Sequence, residues 1–225
     1  MDNDTNQLKV EREFRELDHM DRWQIIRVQR KQSVASHTWL VASYALRIAQ
    51  MLEWKGDYSA LMQESLWHDL DETITGDLPR TYKWAVNKVP GAKAGVDEIR
   101  DGLMKERFPW WDKIEDPEAR MIVYLADILE SVLYLYEEAG LGNSNAADPV
   151  LLDDIRDQLF NAAGEFDDYF RTVRDTLKGQ VSEGRIWPDA PEPPAGWFPG
   201  WATTFVTNSI ADEQSRFSHI ITQPK

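Results

Sequence analysis

Apolar residues recur three and four positions apart along most of the chain, and no stretch shows the sustained alternation of a half-buried strand. That period restricts the fold to helices packed on helices. Leu40, Val41, Tyr44, Ala45, Ile48 and Leu52 make one stripe, starting near Ser33 and ended by Gly56. Asp57 is placed to cap a second helix through Ala60, Leu61, Glu64, Ser65 and His68, which Gly76 and Pro79 close. Leu8 to His19 is a weaker amphipathic stretch, and Tyr82 to Phe108 reads as a loop followed by a helix bearing Val96, Ile99 and Leu103. Asp116-Pro117 and Asp148-Pro149 are helix starts, a capping carboxylate followed by proline at the first helical position. The first opens a stripe of Ile122, Leu125, Ala126, Leu129, Val132, Leu133 and Tyr136, stopped by Gly140 and Gly142. The second opens a long final stripe from Leu152 through Ile155, Leu159, Ala163, Phe166 and Phe170 to Leu177. The expectation is a single-domain, all-α bundle over residues 1–180.

Residues 181–225 differ in kind. The segment WPDAPEPPAGWFPGW, Trp187 to Trp201, holds five prolines and three tryptophans. Disordered linkers lack such aromatic surface. An irregular strap packed on the bundle, or a partner contact, is expected there.

At 225 residues the chain can bury a sizeable core within one domain. It has no cysteine, which excludes disulfides, thiolate metal sites and cysteine nucleophiles. Its net charge of −14 repels long polyanions, so nucleic acid polymers are excluded as partners, while small phosphate compounds remain possible beside a metal ion and an arginine. No apolar run approaches the roughly 20 residues that cross a bilayer. The polar, acidic start of the chain has no secretory apolar region, so a cytoplasmic protein without a membrane partner is expected.

The stretch LWHDLDETITGDLP, residues 66 to 79, crowds an imidazole and four carboxylates beside apolar residues. On a continuous helix His68, Asp69 and Glu72 converge on one side, whereas Asp71 turns toward solvent. His37 lies in phase with Val41, Tyr44 and Ile48 and so faces inward. Asp127 interrupts the apolar run MIVYLADILESVLYL, where a carboxylate is costly unless paired or metal-bound. Two nitrogens and two oxygens from His37, His68, Asp69 and Asp127 suit a divalent ion of borderline hardness. Each residue alone also has a plainer reading: an inward histidine satisfied by a hydrogen bond, or Asp127 paired with Arg120 or a backbone amide.

The pattern of His37, the doublet His68-Asp69 and the distant Asp127 resembles the HD-domain metal-dependent phosphohydrolases. RWQIIRVQRKQSVASH, HDLDETITGDLP with the following Tyr82-Lys83, and ADILESVLYLYEEAGLGN are similar to the bacterial 5′-deoxynucleotidase branch over roughly residues 14 to 175. The chain departs from that pattern at Ala35-Ser36, where the branch has Ser-Glu, and at Leu70-Asp71. The resemblance implies one divalent transition-metal ion (Co, Mn, Zn or Ni) held by His37, His68, Asp69 and Asp127. It also implies that Glu72 is the general base, that Arg22 clamps the phosphate and that Lys83 adds a point charge. Trp23 would wall the sugar against a 2′-hydroxyl, and Asp77 would accept the 3′-hydroxyl. The plainer readings are a surface arginine, a core tryptophan and a turn aspartate capping its own backbone.

The expected substrates are 5′-deoxynucleoside monophosphates. A dNTP triphosphohydrolase is the alternative within the same chemistry, with Arg27, Arg30, Lys31 and Lys83 available for a longer phosphate chain. A nucleotide-sensing protein with a vestigial site is the alternative outside it. Two-metal HD phosphodiesterases and di-iron HD oxygenases need further histidines, and of the four in the chain only His19 and His219 remain. A homo-oligomer, a dimer or larger, is expected.

Overall fold

The computed structural model describes residues 12–111, 114–182 and 192–221. These form α1 (Glu13–His19), α2 (Val34–Met51), α3 (Tyr58–Trp67), α4 (Glu72–Thr75), α5 (Arg80–Asn87), α6 (Ala92–Arg107), α7 (Pro117–Gly140), α8 (Pro149–Ser182) and α9 (Trp201–Ile221). Among the described residues there is no strand, only an isolated bridge between Asp21 and Ser33. The helix-on-helix expectation holds, and among the described residues no helix is long and apolar enough to cross a membrane.

Each cap inferred from the sequence is made. Asp57 accepts from the Ser59 amide at 2.7 Å, Asp116 from the Glu118 and Ala119 amides at 2.9 and 3.0 Å, and Asp148 from the Val150 amide at 2.8 Å. Ser33 caps α2 through the Ser36 amide at 3.1 Å, which fixes the start of the helix that carries His37. Helix α7 is the axis of the bundle and packs against α2, α3, α8 and α9. Its inward stripe, Ile122, Leu125, Ala126, Leu129 and Val132, meets Val41, Ala45 and Ile48 of α2 and Leu159, Ala163 and Phe166 of α8 in one core.

A second apolar cluster matters more for the site. Leu17, Val34, Leu70, Met104 and Phe108 pack together beneath the His68-Asp69 segment. Leu70 is fully buried there, and such burial contributes about 1.5–3 kcal/mol. This anchor holds the polar residues on either side of it in place.

Three expectations need correction. The region from Tyr82 begins inside a helix: α5 and α6 are separate elements, divided by Gly91 at φ +77°, a conformation that favours glycine. The stripe on α8 is not the last, because α9 follows the strap and buries Trp201, Ala202, Val206 and Ile210 against α7 and α8. Polar residues such as Asn208, Asp212 and Gln214 dilute the apolar period of α9 in the sequence. Thirdly, the helix expected to run through His68 to Glu72 is broken, as described below. The expected stripe from Leu8 and the strap before Glu192 lie partly outside the described residues.

From Glu192 to Gly200 the strap is irregular and packs on the bundle. The Gly196 amide donates to Leu52 O at 2.8 Å, and a Cβ at Gly196 would stand 2.4 Å from Met51 O, so only glycine permits this approach. Asp167, buried on α8, accepts from Trp197 Nε1 at 3.2 Å, from the Ala202 and Thr203 amides at 3.1 and 3.3 Å, and from Thr203 Oγ1 at 3.3 Å. It therefore caps α9 from a neighbouring helix. Asp167→Ala strands those donors and is expected to lower unfolding free energy by about 1–3 kcal/mol. Denaturant unfolding checks this, and an unchanged midpoint would contradict the cap.

Candidate active site

The site begins where α3 ends. Leu70 N donates to Trp67 O and Glu72 N to Asp69 O, both at 3.0 Å. These tight turns replace the helical register after His68, and α4 restarts at Glu72. The convergence of His68, Asp69 and Glu72 comes from a turn rather than from one helical face. Asp71 is not solvated as expected: it is 7% exposed, and its Oδ2 contacts Arg100 Nε at 2.6 Å and Nη2 at 2.5 Å. The turn is thus fixed twice to α6, by Leu70 on Met104 and by Asp71 on Arg100.

Helices α2, α3 and α7 then meet. His37 is fully buried, with Nε2 3.0 Å from Asp127 Oδ1 and 3.6 Å from Asp69 Oδ2. His68 Nε2 lies 3.3 Å from Asp69 Oδ2. His37, His68 and Asp69 each offer a ligand atom within 4.8 Å of the others, and Asp127 adjoins this group through His37. The second nitrogens are engaged elsewhere, His37 Nδ1 donating to Glu130 Oε2 at 2.5 Å and His68 Nδ1 to Ser65 O at 2.8 Å. Both Nε2 atoms are buried and face the carboxylates of Asp69 and Asp127, while Glu72 Oε2 is buried without a hydrogen bond among the described residues.

That pattern fits a metal ion. Imidazole ligands characteristically donate their other N–H to a carboxylate or carbonyl, which leaves Nε2 with its lone pair free. The donor set of two nitrogens with carboxylate oxygens suits a divalent transition ion.

The electrostatics agree. Burial alone would depress His68, but the charge and contact of Asp69, with the Asp127 charge, push it up to about 10. Burial and Arg22 also oppose the charged form of His37, and its contacts with Asp127 and Glu130 raise it nonetheless. Burial raises the Asp69 carboxyl, yet His68 and then His37 and Arg22 hold it well below the usual carboxylate range. Glu72 moves the other way: burial, then Asp69 and Asp77, push it up to about 9 against the opposing charges of Lys83 and Arg22. Protons on the two imidazoles supply the positive charge that the carboxylates require. A divalent ion must displace them, so its affinity is expected to rise between about pH 6 and 9 with net proton release. Calorimetry of Mn2+ binding in buffers of different ionisation heat checks this. A pH-independent affinity would contradict it.

The loop before α2 brings the remaining candidates. Arg22 directs Nη1 to Glu130 Oε2 at 3.3 Å and Nη2 to Ser131 Oγ at 3.2 Å. Burial works against its charge, but Asp127, Glu130, Asp69 and Glu72 raise its pKa above the ordinary value, so it stays a cation. Trp23 adopts φ +63°, a left-handed conformation that costs a non-glycine residue roughly 1–2 kcal/mol. Three contacts hold it there: Nε1 donates to Gln32 Oε1 at 2.8 Å, the ring stacks on Tyr134 at 5.4 Å, and the Arg22 guanidinium lies 5.4 Å from the ring centroid. Lys83, half exposed on α5, stands 3.7 Å from Glu72 Oε1. Asp77 follows the Gly76 turn at φ +72° and acts electrostatically on Glu72. His19 is exposed on α1.

The sequence reading missed Glu130, Gln32 and Arg100. Glu130 had a signal, since it is a second carboxylate in the apolar run around Asp127. Gln32 and Arg100 had none, because their partners are distant in the chain or recognisable only in the fold.

This arrangement has relatives. The 5′-deoxynucleotidase YfbR-like family matches residues 12–173. A dATP triphosphohydrolase of Salmonella phage PMBT28 is 30% identical over 138 residues, 56% of this chain and 66% of its own length. A 5′-deoxynucleotidase of Enterobacter sp. (strain 638) is 25% identical over 141 residues, 56% of this chain and 70% of its own length. The chain thus spans about two thirds of the length of these curated relatives. Among solved structures, a cyanophage S-2L HD phosphohydrolase bound to dA and one catalytic Zn2+ ion superposes with a TM-score of 0.51 at 22% identity, over 69% of this chain and 85% of that one. An HD-domain phosphohydrolase from Listeria innocua gives 0.54 at 18% identity, over 87% and 95%. These likenesses show the all-α HD fold. The family match contains every candidate site residue, and the chain belongs to the YfbR-like 5′-deoxynucleotidase family.

Proposed function

We propose that the protein hydrolyses 5′-deoxynucleoside monophosphates to deoxynucleoside and phosphate, using one divalent transition-metal ion held by His37, His68, Asp69 and Asp127. The carrying observation is the buried meeting of His37 Nε2, His68 Nε2 and Asp69 Oδ2, with Asp127 against His37, beside Glu72 and a charged arginine. When bound, the ion supplies Lewis acidity toward the phosphoryl group and neutralises its developing charge. The relatives support the substrate class: deoxynucleotidases and dATP triphosphohydrolases in sequence, and a neighbour holding dA with zinc in structure.

The residues of the chain divide the work. Arg22, set by Glu130 and Ser131, presents a planar guanidinium to two phosphate oxygens. Glu72 takes a proton from the water that attacks phosphorus and returns one to the departing 5′-oxygen, so that the P–O bond breaks without charge building up. Its buried, unbonded oxygen suits that proton transfer. Asp77 accepts from the 3′-hydroxyl, and the fixed Trp23 ring leaves no partner for a 2′-hydroxyl.

The monophosphate reading rests on the state of the nearby cations. Arg30 is paired with Glu137 at 2.9 Å and with Glu138 at 3.1 Å, Lys31 with Asp21, and Lys83 adjoins Glu72. Arg30 is thus committed to two carboxylates near the end of α7, ten and eleven residues beyond Asp127, rather than directed at the site. The phage relatives at 30% and 31% identity favour a second reading, a dATP triphosphohydrolase, which yields tripolyphosphate instead of phosphate.

Sugar choice gives a direct test. A ribonucleotide must lose the hydration of its 2′-hydroxyl against the indole, at a cost of roughly 1–3 kcal/mol. Trp23→Ala is therefore expected to lower the dAMP to AMP ratio of kcat/KM by about 5-fold or more. An unmoved ratio would make Trp23 a packing residue alone.

A further inference from the structure

The polar contacts of the site converge on a residue that takes no part in the proposed chemistry. Glu130 lies on α7 one turn beyond Asp127 and is 2% exposed. Its Oε2 accepts from His37 Nδ1 at 2.5 Å and from Arg22 Nη1 at 3.3 Å, while its Oε1 accepts from Gln32 Nε2 at 2.6 Å. Gln32, itself buried, then accepts from Trp23 Nε1 at 2.8 Å. Its amide orientation follows from these partners, since the nitrogen must face the carboxylate and the oxygen the indole.

One carboxylate thus holds a metal-site imidazole, the guanidinium beside it and, through one amide, the indole of the sugar wall. Building on the deoxynucleotide reading above, we propose that Glu130 is a positioning residue that couples the metal site to the phosphate and sugar subsites. A carboxylate this deep is tolerated because Arg22 compensates its charge and three donors occupy its oxygens. The geometry makes the three contacts interdependent. If the imidazole tilts, Oε2 moves and Arg22 loses its partner; if Oε1 moves, Gln32 releases Trp23 from a conformation that its own backbone disfavours. A residue that merely stapled the loop to α7 would not need to touch the metal-site histidine. That stapling is already supplied by Glu138, which accepts from the Gln29 and Arg30 amides at 2.6 and 3.1 Å and from Asn143 Nδ2 at 2.9 Å.

The test uses binding first and turnover second. Metal-free wild type and Glu130→Gln are titrated with Co2+, read by visible absorption, and inorganic phosphate is then titrated into the Co2+-saturated proteins. Glu130→Gln is expected to weaken Co2+ binding about 10- to 100-fold, and to weaken phosphate binding at saturating Co2+ about 5-fold or more. Gln32→Met is expected to keep Co2+ affinity within about twofold of wild type while lowering the dAMP to AMP ratio of kcat/KM. Wild-type Co2+ and phosphate binding in Glu130→Gln overturns the proposal. A loss confined to Co2+ also overturns it, because Glu130 would then orient His37 alone. Should Glu130→Gln not fold, as judged by circular dichroism, Gln32→Met decides: an unchanged sugar ratio refutes the coupling. A wild type that binds Co2+ and phosphate but cleaves no nucleotide refutes the proposed function instead, and the binding titrations still judge Glu130.

Discussion

Asp69→Ala is expected to hold no stoichiometric divalent ion and to hydrolyse no nucleotide above background. Asp69 Oδ2 is the oxygen that approaches both imidazoles, at 3.6 Å from His37 Nε2 and 3.3 Å from His68 Nε2. Without it the site keeps two nitrogens and the carboxylate of Asp127, whose contact is with His37 Nε2 at 3.0 Å. Removing a partner that merely orients a ligand typically costs about 10- to 100-fold in affinity or activity, and removing a ligand at the centre of the set costs more. The fold should survive, since the turn is anchored by Leu70 and by the Asp71–Arg100 pair rather than by Asp69. Elemental analysis, turnover and circular dichroism together check this. A folded Asp69→Ala protein that retained one ion per chain would remove Asp69 from the ligand set.

Glu72→Gln should separate the ion from the chemistry. Glu72 stands outside the group formed by His37, His68 and Asp69, and its Oε2 is buried without a hydrogen bond among the described residues. The variant is expected to bind its ion as wild type does and to lose roughly 10²- to 10⁴-fold in kcat, the range of a positioned acid–base group. The pH dependence carries the same information. A general base must be deprotonated, so wild-type kcat/KM should fall as pH drops through the Glu72 pKa. Burial and the Asp69 and Asp77 charges place that pKa at about 9 in the metal-free protein, and a bound cation acts in the opposite direction. Glu72→Gln should lose this acid limb. Unchanged kcat would transfer the proton role to another group, and a persisting acid limb would assign that limb elsewhere.

The legible part of this molecule was whatever depends on helical period. His37 could be placed inward because Val34 and Val41, three and four residues away, are core residues, Asp127 because it interrupts an apolar run, and Asp57, Asp116 and Asp148 could be read as caps from type and position alone. What depends on a local break was hidden. The expected helix through Glu72 stops at Trp67 because Leu70 is drawn into the second apolar cluster, whose other members come from α1, α2 and α6. Asp71 looked solvated on an ideal helix; the turn buries it against an arginine 29 residues away, a pairing no periodicity reports. The α9 helix was obscured because its cap is Asp167 on another helix rather than a residue of its own sequence. Function reached further than fold geometry did, because it came through a resemblance carried by short contiguous motifs, which can be read whatever backbone joins them.

The most direct measurement is product identity with wild-type protein. Metal-free enzyme is reconstituted with one equivalent of Co2+, Mn2+, Zn2+ or Ni2+ and given dAMP, AMP and dATP, and the products are resolved by chromatography. The expected result is deoxyadenosine and phosphate from dAMP in the presence of an added ion, with AMP a markedly poorer substrate and dATP cleaved more slowly than dAMP. Tripolyphosphate released from dATP with dAMP untouched would contradict the monophosphate reading. No hydrolysis of any of the three with any ion would contradict the assignment of these residues to catalysis.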